Sequence, residues 1–475
     1  MEQSAFLATG VPQLDLILGG GIVERSLLLI AGLAGSGKTV LAAQIAFAAA
    51  HREERVLFVT AFSEPHDKLI SNLHHFQFFE PNMIGERIKL LNLQHQLSAS
   101  VAEAGETIVR EARAHRAQLV VLDGFQGVSV TSQTSLAPHQ FLYDLNAKLS
   151  LLGITSVITY NYAPTLEGSR PELTAVDGIV WLAQELMGDQ AVRMLQVVKQ
   201  RGANPLLGRH SFKLDNSGLV CYPRQEAVTT PKDVPPGNER ATFGIAELDA
   251  MLRGGLTQGT NTIIAGAEGV GKTLLSLKFV MQGIANGERA IIITFNETAQ
   301  QLVAKGARFG LDLQAAIDQG QLRIQYYPVA ELNADMVAQE LRDAVTTTQI
   351  QRLVIDGLYE IELPLIKNER AHGFFASLIT FLRSQQITTC ITLEIDPLIG
   401  RELSFVGKTF SALAENVLLM RRSEVKSQFL STIDVLKMRF SAHDRTLHEY
   451  TIEDNGFRIS ATSSTRTEGK RRRSI

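Results

Sequence analysis

Two tandem α/β domains, each a doubly wound and mostly parallel sheet flanked by helices, are the fold class that this 475-residue sequence predicts. Three observations carry the prediction. A Gly-x-x-x-x-Gly-Lys-Thr motif occurs twice in one register, at Gly32–Thr39 and Gly266–Thr273, 234 residues apart. Unbroken apolar runs recur in each half, as expected of central parallel strands covered on both faces. Helix-like stretches alternate with those runs.

The elements repeat in order. Gly10-Val11-Pro12-Gln13-Leu14-Asp15 answers Gly244-Ile245-Ala246-Glu247-Leu248-Asp249. A strand is predicted over Ser26–Ile30 and again over Asn261–Ala265, each running into the glycine motif, with a helix behind it at Val40–Ala50 and Leu274–Ile284. The next strand, Val56–Thr60, answers Ala290–Thr294. A polar turn follows, Ser63-Glu64 and Asn296-Glu297, now 233 residues apart because the first copy carries one extra residue. Then come Leu119–Asp123 and Leu353–Asp356. The first domain is expected over residues 1–225 and the second over 241–460. Between them, 226–240 is polar, holds three prolines and reads as a linker. The tail 461–475 is basic and Ser/Thr-rich, and is predicted to be disordered.

Composition narrows the partners. Hydrophobic content of 45% suffices for two cores, and a net charge of −3 makes no overall case for nucleic acid. No apolar run approaches the ~20 residues of a spanning helix. Cys221 and Cys390 have no metal-site spacing and point to a reducing, cytoplasmic setting.

The glycine motif implies a triphosphate. Gly32, Gly35, Ser36 and Gly37, with Gly266, Gly269, Val270 and Gly271, would turn backbone N–H groups toward the phosphates of ATP. The helix behind each loop adds unpaired donors and a favourable dipole end. Lys38 and Lys272 would reach the β- and γ-phosphates, and Thr39 and Thr273 would place a hydroxyl on Mg²⁺. Asp123 and Asp356, ending apolar strands 85 and 84 residues after the lysines, are expected to hold the same Mg²⁺. A strand-end aspartate capping a turn is the plainer reading. The matched offsets favour the metal. A Lys-x-Arg triplet, Lys199-Gln200-Arg201 and Lys437-Met438-Arg439, ends a strand-like run in each half. It is either a solvated strand end or a pair of cations for a γ-phosphate, and its recurrence favours the second.

On these residues the chain resembles the KaiC family, the double-domain branch of RecA-like ATPases, over roughly residues 5–460. Ser441-Ala442-His443-Asp444 also resembles the family's second domain. The resemblance implies two tandem RecA-like P-loop NTPase domains and a homo-oligomer, a two-tiered hexameric ring with ATP between subunits. Lys199, Arg201, Lys437 and Arg439 would then act in trans. The sequence departs from the family in three places. Where the family usually has two adjacent glutamates, the first polarising the attacking water, Ser63 and Asn296 take the first position and only Glu64 and Glu297 remain. These glutamates either serve as the base from a shifted turn or merely cap it; if they cap it, hydrolysis is slow. Ala412 replaces the threonine of the family's Ser-Thr phosphorylation pair beside Ser411. Phe440 stands where the family usually has Gly.

The leading expectation is an ATP-binding, slowly hydrolysing oligomeric switch. Three others stand beside it: a serine/threonine autokinase with Ser411 as acceptor, a RecA-like recombinase, and a scaffold that uses ATP only as glue.

Overall fold

A computed structural model of the chain describes residues 5–60, 66–93, 101–125, 137–162, 171–187, 190–229, 234–235, 237–366, 369–395, 414–425, 428–453 and 456–461. Ser63, Glu64, Ser411, Ala412 and the tail 462–475 lie outside the described residues. The chain divides into two compact units, Met1–Val228 and Thr229–Ile475. The division falls inside the stretch 226–240. A short helix, Gln225–Val228, closes the first unit. Beyond it, Gln386 Nε2 donates to Pro235 O and Gly237 N to Gln258 O, each at 3.2 Å, so this part of the stretch lies along the second unit.

The first unit opens with a ribbon, β1 (Phe6–Leu7) and β2 (Ile22–Val23). Its main sheet holds β3 (Leu27–Gly32), β4 (Val56–Thr60), β5 (Ile88–Asn92), β6 (Leu119–Asp123), β7 (Thr155–Asn161), β8 (Gly178–Met187), β9 (Gln190–Gln200), β10 (Arg209–Asp215) and β11 (Gly218–Tyr222). The order across the sheet is β11-β10-β9-β8-β3-β7-β6-β4-β5. Neighbours from β8 to β5 are parallel, and β9 to β11 fold back as an antiparallel meander.

The second unit repeats the plan. A ribbon of β12 (Arg240–Ala241) and β13 (Leu256–Thr257) precedes β14 (Asn261–Gly266), β15 (Ala290–Thr294), β16 (Leu322–Tyr326), β17 (Arg352–Asp356), β18 (Thr388–Glu394), β19 (Asn416–Val425), β20 (Gln428–Met438), β21 (His448–Glu453) and β22 (Gly456–Ala461). The order β16-β15-β17-β18-β14-β19-β20-β21-β22 is that of the first sheet, strand for strand, read from the other edge. Each unit is therefore a RecA-like domain with a mostly parallel sheet.

Strand alternation explains why these runs are apolar throughout. Leu28 and Ile30 of β3 enter a core with the helix Lys38–His51, while Leu27 and Leu29 enter another with Ile108 and Leu142 on the opposite face. In the second unit Ile264 faces the helix Lys272–Ala285, and Ile263 and Ala265 face Val337, Ile361 and Phe374. The repeated Gly-x-x-x-Leu-Asp motif has a structural job. Asp15 accepts from Thr9 N at 2.9 Å, and Asp249 from Phe243 N at 2.8 Å and Gly244 N at 3.1 Å, which fixes the opening turn.

Arg352 carries its charge wholly inside the second unit. Arg352, at the start of β17, pairs with Glu288, donates to Thr242 O and Phe279 O at 2.6 Å each, and lies 4.5 Å from the Phe279 ring centre. A Cβ on Gly283 would fall 2.3 Å from Arg352 Nε, so the helix needs glycine at that point. Arg352→Ala should leave Glu288 and two carbonyls without a donor, at a cost of about 3–5 kcal/mol. Scanning calorimetry should show the transition of the second unit lowered by about 10 °C. An unshifted transition would mean that the arginine is dispensable.

Candidate nucleotide-binding sites

β3 and β14 each end in glycine, and the loop beyond turns directly into a 14-residue helix, Lys38–His51 or Lys272–Ala285. Gly37 and Gly271, just before the helices, have φ of 102° and 99°, where a side chain is strained. Space excludes a side chain at the first glycine. A Cβ on Gly32 would lie 2.4 Å from Ser36 Oγ, and one on Gly266 would lie 2.6 Å from Met420 O and 2.8 Å from Val270 Cγ2. The loop is thus folded tightly over its strand, with the first-turn N–H groups of the helix at its mouth. Lys38 Nζ donates to Leu33 O at 2.8 Å, and Lys272 Nζ to Gly266 O and Ala267 O at 2.8 Å each. Burial lowers both ammonium pKa values, against Asp123 in the first site and Glu394, Asp356 and Glu268 in the second. An anion beside them would oppose that shift.

The sheet order brings the predicted metal ligands together. β7 lies between β3 and β6, and β18 between β14 and β17. Thr39 Oγ1 donates to Asp123 Oδ1 and Oδ2 at 3.1 and 3.2 Å, and Thr273 Oγ1 to Asp356 at 3.2 and 3.0 Å. The intervening strand supplies a second hydroxyl. Thr159 donates to Asp123 Oδ1 at 2.6 Å and Thr392 to Asp356 Oδ1 at 2.7 Å. Each of these hydroxyls also accepts the N–H of the glycine after the aspartate, Gly124 at 2.9 Å and Gly357 at 2.8 Å. Burial raises the Asp356 pKa, against hydrogen bonds from Thr392 and Thr273. A divalent cation between carboxylate and hydroxyl would reverse that shift. Threonine and aspartate oxygens suit a hard ion such as Mg²⁺, which keeps most of its water.

The second acidic turn is described in full. Thr294 Oγ1 donates to Glu297 O at 2.9 Å, and Thr298 caps the helix Ala299–Arg308. Asn296 packs on the turn after Asp356, with its Nδ2 3.6 Å from where a Gly357 Cβ would stand. Glu297 is engaged by Lys305, whose Nζ lies 2.5 and 2.6 Å from its two carboxylate oxygens.

The Lys-x-Arg triplets lie at the other end of their sheets. Arg201 N donates to Asp177 O and Asp177 N to Leu27 O, each at 3.0 Å, level with the first residue of β3. Arg439 is tied in the same way through Glu415 to Asn261. Five residues of strand, about 16 Å, separate either arginine's backbone from the loop glycine of its own domain. A bulge re-aims both lysines. Lys199 pairs with Ile179 but Val197 with Val180, leaving Val198 outside the ladder; Leu436 is left out in the same way before Lys437. Lys199 Nζ donates to Val176 O at 2.5 Å and Lys437 Nζ to Ala414 O at 2.6 Å. Burial lowers both of their pKa values, helped by Arg201 and Arg439 alongside. Gly202 follows the first triplet with φ 79°, whereas Phe440 is not among the positive-φ residues, so the chain leaves the second triplet by a different path.

Four contributors are not among the residues predicted from the sequence. Thr159 and Thr392 had a signal, since each stands 36 residues after its aspartate. Arg193 on β9 donates to Gly35 O at 3.1 Å, and Tyr450 on β21 donates to Val270 O at 2.6 Å, each bracing one loop from the meander. A cavity of about 470 Å³ lined by Gln258, Gln349, Gln351, Gln385 and Gln386 lies where the strands of the second sheet begin, away from the glycine loop. Among the described residues, no helix is long and apolar enough to cross a membrane.

Two RecA-like domains in tandem, each setting a glycine loop, a Lys-Thr pair and a threonine-bound aspartate at one end of its sheet, define a duplicated P-loop nucleotide-binding protein. The family described as "ATPase: KaiC" matches residues 7–226 and 241–464, and the chain belongs to that family. Similar proteins include the circadian clock oscillator protein KaiC of a Picosynechococcus species, 27% identical over 471 residues, with 95% of this chain and 89% of that protein covered. The circadian clock protein KaiC3 of a Synechocystis species is 28% identical over 475 residues, covering 95% and 91%. The oscillator protein KaiC of Synechococcus elongatus is 26% identical over 466 residues, covering 95% and 88%.

Proposed function

We propose that the chain is a slowly hydrolysing ATPase whose two sites hold Mg-ATP between neighbouring subunits of a homo-oligomeric, hexameric ring, and whose nucleotide state acts as a regulatory switch. The observation that carries this reading is the same arrangement built twice: Lys38, Thr39 and Asp123 in one domain, Lys272, Thr273 and Asp356 in the other. On this reading the domains span 1–225 and 241–460, joined by 226–240. The lysine of each loop would hold the β- and γ-phosphates. Mg²⁺, when bound, supplies positive charge to the transferred phosphoryl. Thr39 and Thr273 would hold it by their hydroxyls, and Asp123 and Asp356 by their carboxylates.

The position of the Lys-x-Arg triplets supports completion of the site in trans. Arg201 and Arg439 are about 16 Å along the sheet from their own loops, so a phosphate they touch lies outside their own domain, and the reading assigns it to a neighbouring chain. Head-to-tail contacts close into a ring where the rotation between neighbours closes, and into an open filament where it does not; the reading takes the closed form. The relatives are named as circadian clock proteins, and slow hydrolysis would suit a switch or timer of that class. Light scattering with and without Mg-ATP checks the assembly. Removing nucleotide should shift the mass toward monomer, and a monomer at high protein concentration under saturating Mg-ATP would refute the ring.

A further inference from the structure

We infer that Lys305 is a positioning residue that holds the Glu297 carboxylate away from the attacking water and thereby sets the slow pace of the second site. The inference rests on the ATPase reading of that site. Glu297 and Lys305 are eight residues apart and each is fixed from its own side. Glu297 is set by the Thr294 turn, and Lys305 by the helix Ala299–Arg308, whose start is locked by reciprocal Thr298 and Gln301 caps. The helix buries Leu302 and Gly306, which turns Lys305 back along the same side toward the turn. Its ammonium then spans both oxygens of Glu297 at 2.5 and 2.6 Å.

A carboxylate can guide a water only through a free lone pair facing it. With a cation across both oxygens, Glu297 has its charge satisfied by the protein. The pair stands beside the metal end of the site, because Thr294, which sets the Glu297 turn, pairs with Asp356 across β15 and β17, and Asn296 packs on the turn after Asp356. Both side chains remain about a third exposed, at 34% and 29%, and an ion pair in that setting contributes little to stability. Its effect therefore falls on Glu297.

The test uses full-length Lys38→Ala protein, in which turnover comes from the second site. Lys305→Gln in this background should raise kcat about tenfold, a fraction of what a general base supplies, with KM for Mg-ATP and the melting temperature unchanged. Lys305→Arg should remain slow, since a guanidinium can span the carboxylate again. Adding Glu297→Gln to Lys305→Gln should erase the gain. The inference is overturned if Lys305→Gln is no faster than its parent, or if the gain survives Glu297→Gln. A Lys38→Ala parent that binds no Mg-ATP would instead defeat the ATPase reading of the second site on which the inference stands.

Discussion

Arg201→Ala and Arg439→Ala are expected to bind Mg-ATP about as well as the parent while losing ~10³-fold or more in turnover at one site each, the range of an arginine finger. The expectation follows from position. Each arginine starts at the far end of its sheet from its own glycine loop, anchored through Asp177 or Glu415 to the first residue of the P-loop strand. Removing it leaves every contact of Lys38, Thr39 and Asp123, or of Lys272, Thr273 and Asp356, in place within the domain. Binding by the loop should persist while charge on the transferred phosphoryl goes unmatched. If the arginine acts in trans, mixing Arg439→Ala chains with Lys272→Ala chains should recover part of the lost activity, because mixed interfaces unite an intact loop with an intact arginine. Turnover that is unchanged in both arginine variants would remove the triplet from the site.

Asn296→Glu should act in the opposite direction. Asn296 packs against the turn after Asp356 and offers an amide where the family usually carries a carboxylate. An amide can hydrogen-bond a water but takes no proton from it near neutral pH, and a positioned base contributes ~10²–10⁴ in rate. The variant, and Ser63→Glu in the first domain, should therefore turn over faster by up to that factor with no tighter ATP binding. The opposite pattern, with Asn296→Glu no faster and Glu297→Gln inactive, would make Glu297 the base of the second site.

The parallel core was legible because burial on both faces leaves little but apolar residues in a strand. Leu119–Asp123 was bounded correctly on that signal alone. Its counterpart was read from Leu353, one residue late, because Arg352 broke the apolar run; only the fold reveals that its charge is matched inside the core. The meander was harder. β9 spans Gln190–Gln200, yet only the strand-like run leading into Lys199 is legible, since Gln190 and Arg193 interrupt the first four residues of the strand. The bulges at Val198 and Leu436 leave no mark in the hydrophobic pattern. The glycine loops and their aspartates were legible because phosphate chemistry restricts residue type and spacing together. Thr159 and Thr392 were hidden by their resemblance to ordinary β-branched strand residues. Arg193 and Tyr450 brace the two loops by different means, so comparing one half with the other could not find them. Lys305 reads in sequence as the solvated face of a helix, and only the turn before that helix gives it a target.

The central claim is that both copies of the duplicated machinery are ATP sites. The measurement that tests it most directly is the number of Mg-ATP molecules held per chain at saturation, counted by equilibrium dialysis on the full-length protein. The account predicts two, with Lys38→Ala and Lys272→Ala each retaining one and the double variant none. A wild-type chain that saturates at one, or a lysine variant that still holds two, would contradict it.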